Sequence, residues 1–80
     1  MVMNDNDADN KFEYIYKKYR KLLLYKAFEI LKDYQLAEDS TDEAFIRIYN
    51  NLNNVDDPDS NFSIAYFVTI VKHTSLTLLK

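Results

Sequence analysis

The chain of 80 residues contains no glycine and a single proline, Pro58. Because β-rich folds use glycine and proline in their many turns, this depletion favours an all-α fold. Apolar residues make up 48% of the chain, which is typical of a globular protein and argues against disorder. The length predicts one domain. The chain has no cysteine, which excludes disulfides and thiolate metal sites and fits a cytoplasmic protein.

Apolar residues recur with three-four spacing in three segments, at about residues 10–32, 34–53 and 61–80. This is the spacing of amphipathic helices, and the short connections predict a three-helix bundle. The apolar stripes include Phe12, Ile15, Tyr19, Leu23, Ala27, Ala37, Thr41, Ala44, Phe45, Ile48, Ile64, Phe67, Val68, Val71, Ser75 and Leu78. The predicted N-caps are Asp9 or Asn10, then Asp33, then Ser60 or Asn61.

The boundaries of the second helix are ambiguous. Asp33 is placed to cap a helix that begins near residue 34, but Ser40 and Glu43 also have the spacing of a capping box. A kink or a later start near Ser40 therefore remains open. After this helix, the Asn- and Asp-rich segment 50–61 contains Pro58 and predicts a loop.

Charge is strongly segregated within a net charge of −3. Residues 1–10 hold three acids and are expected to be a flexible N-terminus, whereas residues 11–32 hold seven Lys or Arg against two Glu. Residues 33–59 hold eight acids and one Arg, and residues 60–80 hold two Lys and no acid. Because local fields steer partners more than net charge does, the acidic total does not exclude a nucleic-acid partner.

The acidic middle of the chain carries a recognisable pattern. Residues 37–49 read Ala-Glu-Asp-Ser-Thr-Asp-Glu-Ala-Phe-Ile-Arg-Ile-Tyr. This segment resembles the core-binding segment of sigma-70 family factors, and above all of the extracytoplasmic-function (ECF) subfamily, which reads roughly A-E-D-L-V-Q-E-V-F-L-R-x-W. Asp39, Glu43, Phe45 and Arg47 match that pattern. Asp42 replaces its usual Gln, and the final Trp is Tyr49 here.

Two weaker segments lie in register with this one. Residues 12–19 look like the opening helix of the family, and residues 65–73 look like its promoter-reading helix, commonly A-W-L-x-x-I-A-R-N. The resemblance covers about residues 11–80 and implies a domain of the sigma region 2 type. It predicts that the family's second domain, which reads the upstream promoter element, has no counterpart in these 80 residues. Whether they are a natural short form or part of a longer protein stays open.

Helical spacing places Asp39, Asp42 and Glu43 on one exposed face. Like charges at this spacing cost a few tenths of a kcal/mol each, which a basic partner would relieve. The resemblance implies that partner: the coiled-coil clamp helices in the largest subunit of core RNA polymerase. The predicted polymerase-binding residues are Asp39, Asp42, Glu43, Arg47 and Tyr49. An anti-sigma factor is a further possible partner for the same face, by analogy with the family.

The resemblance also implies that the third helix and the loop before it bind the minus-ten promoter element and trap a flipped base. Cations would hold phosphates, and aromatic rings or amides would hold bases. The predicted DNA-binding residues are Asn51, Asn53, Asn54, Asn61, Tyr66, Thr69, Lys72, His73 and Lys80. Structural alternatives remain open: Tyr66 in the core, His73 as an ordinary surface residue, and the Asn-rich loop as a plain turn.

Catalysis is not expected. With one histidine and no cysteine, the chain holds neither a Cys–His pair nor a two-histidine metal motif, and no cofactor is implied. No apolar run approaches the length of a membrane span. The alternative to a promoter-melting factor is a helical adaptor or sigma-like regulator, which would bind polymerase or another protein without opening DNA.

Overall fold

The computed structural model describes residues 5–79, with side chains from Asp7 onward. It contains three α-helices: α1 (Asp5–Leu31), α2 (Tyr34–Asn50) and α3 (Asn61–Leu78). A short 3₁₀ turn, Leu52–Asn54, follows α2. Each helix packs against the other two, and no strand occurs among the described residues. The predicted all-α three-helix bundle is therefore confirmed.

The helix boundaries differ in part from those predicted. Helix α1 begins at Asp5 rather than near residue 10, so the predicted N-cap at Asp9 or Asn10 is wrong, and residues 5–10 are helical rather than part of a flexible N-terminus. Asp residues in the first turns of a helix are favoured by the positive end of its dipole. Helix α2 ends at Asn50 rather than near residue 53. Its last turn is closed by Asn51, whose side-chain amide donates to the carbonyl of Arg47 at 2.8 Å.

The two later N-caps follow local sequence rules. The Asp33 side chain accepts a hydrogen bond from the backbone N–H of Leu36 at 3.0 Å, and the Ser60 side chain accepts one from that of Ser63 at 3.0 Å. The predicted Asp33 cap is confirmed, and Ser60 rather than Asn61 caps α3. Between α1 and α2, Lys32 adopts φ of 56°, a left-handed conformation that glycine usually provides at a helix end.

The core is built from the predicted stripes. Its fully buried side chains come from every helix and from the loop before α3, and they include Ile15, Leu23, Ala27, Ala37, Ala44, Ile48, Val55, Phe67 and Val71. Val55 is the one residue of this set that lies outside a helix. Because its side chain is buried in the core, it attaches the loop to the bundle. Burial of these groups is the main favourable contribution to folding.

A hydroxyl cluster lies inside the contact between α2 and α3. The Oγ of Ser40 is 2.8 Å from Oγ1 of Thr74 and 2.8 Å from Oγ of Ser75, and all three residues are buried. Thr74 also donates to the Ser40 carbonyl at 3.1 Å. Helix α2 runs from Tyr34 to Asn50 through Ser40 without a new start, so the possible capping box there does not form and the Ser40 hydroxyl bonds to α3 instead.

Candidate functional site

The acidic face of α2, defined as Asp39, Asp42 and Glu43, lies fully on the exposed side of the helix. Asp39 accepts a hydrogen bond from the Gln35 amide at 3.3 Å, and Glu43 lies 3.8 Å from Nε of Arg47. Among the described residues, Asp42 has no hydrogen-bond or ionic partner, and no lysine engages any of the three. These carboxylates are thus available to a partner.

Glu38 does not lie on the acidic face of α2. It is half-buried and its Oε2 lies 3.2 Å from Nη2 of Arg20 on α1. Arg20 in turn donates to the Tyr16 hydroxyl at 3.0 Å, and these two hydrogen bonds raise the pKa of its guanidinium. The pair joins α1 to α2 at a partly buried contact, so Glu38 is engaged within the bundle and is not part of the acidic face.

Two apolar side chains border the acidic face. Ile46 is 54% exposed and Tyr49 is 47% exposed. The ring of Tyr49 meets Phe12 of α1 edge to face, with centroids 5.2 Å apart, and the Tyr16 and Phe45 rings lie 4.8 Å apart. These aromatic residues and Ile46 line a cleft of about 310 Å³ between α1 and α2, with Asp42 at its edge.

On the opposite edge of the acidic face, Arg47 reaches α3. Its Nη1 lies 2.9 Å from Nδ1 of His73. A groove of about 350 Å³ runs beside this contact; its lining residues are Asp39, Glu43, Arg47, Thr74, Thr77 and Leu78. The structure therefore brings a predicted polymerase-binding residue and a predicted DNA-binding residue into direct contact.

The predicted DNA-binding residues of α3 differ in exposure. Thr69, Lys72 and His73 are exposed, whereas Tyr66 is half-buried and packs on the core with its ring centroid 6.3 Å from that of Phe67. Tyr66 therefore combines the two roles that the sequence left open: part of its ring supports the bundle and part faces solvent. Lys80 lies outside the described residues.

The asparagines before α3 also divide into two groups. Asn51 has a structural role as the cap of α2. Asn53, Asn54 and Asn61 are exposed, and their side-chain amides have no hydrogen-bond partner among the described residues. An amide carries donors on its nitrogen and an acceptor oxygen, as base edges do. These three residues are thus free to meet a base, although their role in DNA binding stays a prediction.

Asp59 anchors the same loop to α1. Its carboxylate accepts hydrogen bonds from the hydroxyls of Tyr14 and Tyr19, and its Oδ1 lies 2.9 Å from Nζ of Lys18. The bonds from Tyr14, Tyr19 and Lys18 lower the pKa of the Asp59 carboxyl from 3.8 to about 2. Burial, assisted by the bond to Asp59, raises the pKa of the Tyr19 hydroxyl to about 12.

With this geometry established, a comparison with family models found a match to Sigma-70 region 2 over residues 15–80. The chain belongs to the sigma-70 region 2 family. Regions of this type take part in RNA polymerase binding and promoter recognition, so both predicted partner classes apply to the chain in that general sense. A comparison with curated proteins found no match, and neither did a comparison with solved structures.

Seen as a sigma region 2 domain, the chain has three features that sequence reasoning missed. Ile46 could have been placed on the acidic face from the sequence alone. It lies four residues after Asp42 and three after Glu43, so it shares their side of the helix. Phe62 was detectable as an aromatic residue one turn before Tyr66; it is 76% exposed at the start of α3. The contacts of Asp59 had no local signal, because Tyr14 is 45 residues away along the chain.

The described part of this sigma region 2 domain shows two further properties. No group of three or more His, Asp or Glu side chains is arranged to hold a metal ion within residues 7–79. None of the helices, as far as they are described, combines the length and apolar character that crossing a membrane requires.

Proposed function

We propose that the chain is a sigma region 2 domain of the ECF type that docks on core RNA polymerase through α2 and recognises the minus-ten promoter element through α3 and its preceding loop. The observation that carries the docking role is the acidic face of α2, which is exposed and bordered by the apolar side chains of Ile46 and Tyr49. The ECF assignment is supported by the Ala-Glu-Asp segment at residues 37–39.

The docking surface has the composition of a protein interface. Charged residues at a rim raise the association rate and select the partner, while desolvated aromatic and aliphatic groups supply more of the affinity. Here Asp39, Asp42 and Glu43 would meet a basic surface, the clamp helices of the polymerase largest subunit. Tyr49, supported by Phe12 at 5.2 Å, would provide a pre-oriented apolar contact.

On the DNA side, each group of residues would have one chemical role. Lys72 and Lys80 would contact phosphates, with Thr69 and His73 as polar neighbours. Tyr66 would stack on an unpaired base, and the loop asparagines would read its edge. Extruding a base from the duplex costs a few kcal/mol, which these contacts must recover for the domain to assist promoter melting.

Lys72 is the only Lys or Arg of α3 within Asn61–Leu78, so phosphate contacts are few. We therefore expect sub-micromolar binding to single-stranded promoter DNA only when core polymerase is present. Fluorescence anisotropy with labelled DNA, with and without core polymerase, measures this directly. Tight binding by the domain alone would contradict the expectation.

A charge-reversal experiment tests the docking role. Asp39→Lys with Glu43→Lys should abolish co-purification with core polymerase, whereas Glu29→Lys, an exposed reversal on α1, should not. Unchanged co-purification of the double variant would refute docking through α2. Lys72→Ala should reduce promoter-dependent transcription without affecting co-purification; if it has no effect while the α2 reversal does, the adaptor that never opens DNA becomes the better description.

The remaining aspects of the proposal follow from this binding role. We propose that the domain is not an enzyme and acts in the cytoplasm, where core polymerase is found. An anti-sigma factor would inhibit it by covering the acidic face of α2. Competition between such a factor and core polymerase, measured with the double variant Asp39→Lys with Glu43→Lys as the control that should bind neither, tests this point.

A further inference from the structure

The loop between α2 and α3, residues 51–60, is attached to the rest of the bundle at three places. Near its start, Nζ of Lys11 donates to the carbonyl of Leu52 at 3.4 Å. In its middle, Val55 is fully buried in the core. At its end, Asp59 contacts α1. A loop attached at both ends and at its centre samples few conformations.

The attachment at Asp59 has the most hydrogen bonds of the three. Tyr14, Tyr19 and Lys18 all donate to one carboxylate, and Lys18 also donates to the Tyr14 hydroxyl at 3.1 Å. Hydrogen bonds to an ionised acceptor are about twice as strong as neutral ones. Three donors from three residues of one helix therefore define both the position and the orientation of this carboxylate.

The backbone around Asp59 transmits that position to the start of α3. The N–H of Asp59 donates to Oδ1 of Asp57 at 3.0 Å, and the N–H of Ser60 donates to the carbonyl of Asp57 at 3.1 Å. Pro58 stands at the second position of this turn, where its restricted φ is favourable. Ser60 then caps α3, so the anchor, the turn and the helix start form one connected unit.

The exposed asparagines lie next to the attachment points. Asn53 and Asn54 belong to the 3₁₀ turn between Leu52 and Val55, and Asn61 follows directly after the Ser60 cap. Their amides have no partner among the described residues. The loop is thus attached through the Leu52 carbonyl, the Val55 side chain and the Asp59 carboxylate, while the amides of these three asparagines stay free.

We infer that Asp59 is a positioning residue for base recognition: by attaching the loop to Tyr14, Lys18 and Tyr19, it presents the Asn53, Asn54 and Asn61 amides in a fixed arrangement to an unpaired promoter base. This inference rests on the proposed function. A pre-ordered loop loses less conformational entropy on binding, so the same contacts give a higher affinity.

The direction in which one substitution changes the DNA affinity distinguishes positioning from simple electrostatics. Asp59→Asn removes a negative charge near the DNA and releases Lys18, so electrostatics alone predicts tighter DNA binding. Positioning predicts weaker binding, by roughly tenfold, because the loop must be ordered during binding. Asp56→Asn is the matched control: Asp56 is exposed in the same loop and has no partner among the described residues, so its neutralisation should leave DNA affinity unchanged or raise it.

The experiment measures anisotropy of labelled single-stranded promoter DNA added to the complex of the full chain with core polymerase. Co-purification should be unchanged in both variants, and hydrogen exchange in the free protein should show faster exchange at residues 53–55 in Asp59→Asn only. Tyr14→Phe removes the bond from Tyr14 to Asp59 and the one from Lys18 to Tyr14 but keeps the bonds from Tyr19 and Lys18 to Asp59. It should therefore give a smaller loss of DNA affinity, and it serves if Asp59→Asn folds poorly.

The outcomes are distinct. Weaker DNA binding by Asp59→Asn or Tyr14→Phe, with Asp56→Asn unimpaired, supports positioning. Unchanged or tighter DNA binding by the Asp59 variant, alongside a wild-type complex that does bind, overturns the inference and leaves the proposed function intact. If the wild-type complex does not bind the DNA, the proposed recognition of promoter DNA fails, and the inference fails with it.

Discussion

Nη1 of Arg47 lies 2.9 Å from Nδ1 of His73, so that a side chain of the acidic helix α2 bonds directly to the exposed side of α3. A guanidinium has donors only, which makes Nδ1 of His73 the acceptor and places the imidazole hydrogen on Nε2. The contact links the proposed polymerase-binding and DNA-binding surfaces of this sigma region 2 domain.

The first prediction concerns that contact. A double-mutant cycle with Arg47→Met and His73→Ala should give a coupling energy of about 0.5–1.5 kcal/mol in urea unfolding, which is the usual net contribution of an intramolecular hydrogen bond. Nitrogen NMR of the imidazole should show the Nε2–H tautomer near neutral pH. Additive mutations together with the Nδ1–H tautomer would show that the two side chains do not interact in solution.

The second prediction concerns pH. Because its hydrogen bonds from Tyr14, Tyr19 and Lys18 lower the pKa of Asp59 to about 2 in the folded protein, Asp59 stabilises the fold above pH 4, near its usual pKa. That contribution should be lost as the pH falls from 4 to 2. Urea unfolding of the wild type and Asp59→Asn, compared at several pH values, should show a difference in unfolding free energy that shrinks over this interval. A difference independent of pH would argue against the ionic anchor.

The third prediction concerns the hydroxyl cluster. Ser40→Ala leaves the buried Ser75 hydroxyl without the partner that lies 2.8 Å from it, and an unsatisfied buried hydroxyl costs about 1–3 kcal/mol. The double variant Ser40→Ala with Ser75→Ala removes both groups, so its loss of unfolding free energy should be smaller than the sum of the two single losses. Strict additivity would mean that the cluster does not act as a unit.

The fourth prediction concerns the apolar border of the docking surface. Ile46→Asp should weaken binding to core polymerase by about tenfold or more, because a charge would replace an apolar contact at the proposed interface. Since Ile46 is 54% exposed, thermal unfolding should be nearly unchanged. Phe62→Asp, at a more exposed apolar position on α3, should leave polymerase binding intact; an equal loss there would indicate a non-specific effect.

Local rules were sufficient for the architecture. The three-four spacing of Ile15, Tyr19 and Leu23, and of Ala37, Thr41 and Ala44, predicted which face of each helix is buried. The Asp33 cap was also predictable from the local sequence, because a capping residue directly precedes its helix. The acidic face of α2 followed from helical spacing, and the Ala-Glu-Asp segment pointed to the family that the chain matches over residues 15–80.

The helical class, the buried stripes and the exposed acidic face follow from the sequence alone, because helical periodicity and capping act over a few residues. Tertiary structure decided the contacts of Asp59 with Tyr14 and Tyr19, of Ser40 with Thr74 and Ser75, and of Arg47 with His73. Their partners lie 26 to 45 residues apart along the chain, and their geometry depends on how the helices pack. No local pattern carries that information, since a hydrogen bond requires both groups within a few tenths of an ångström of the right distance.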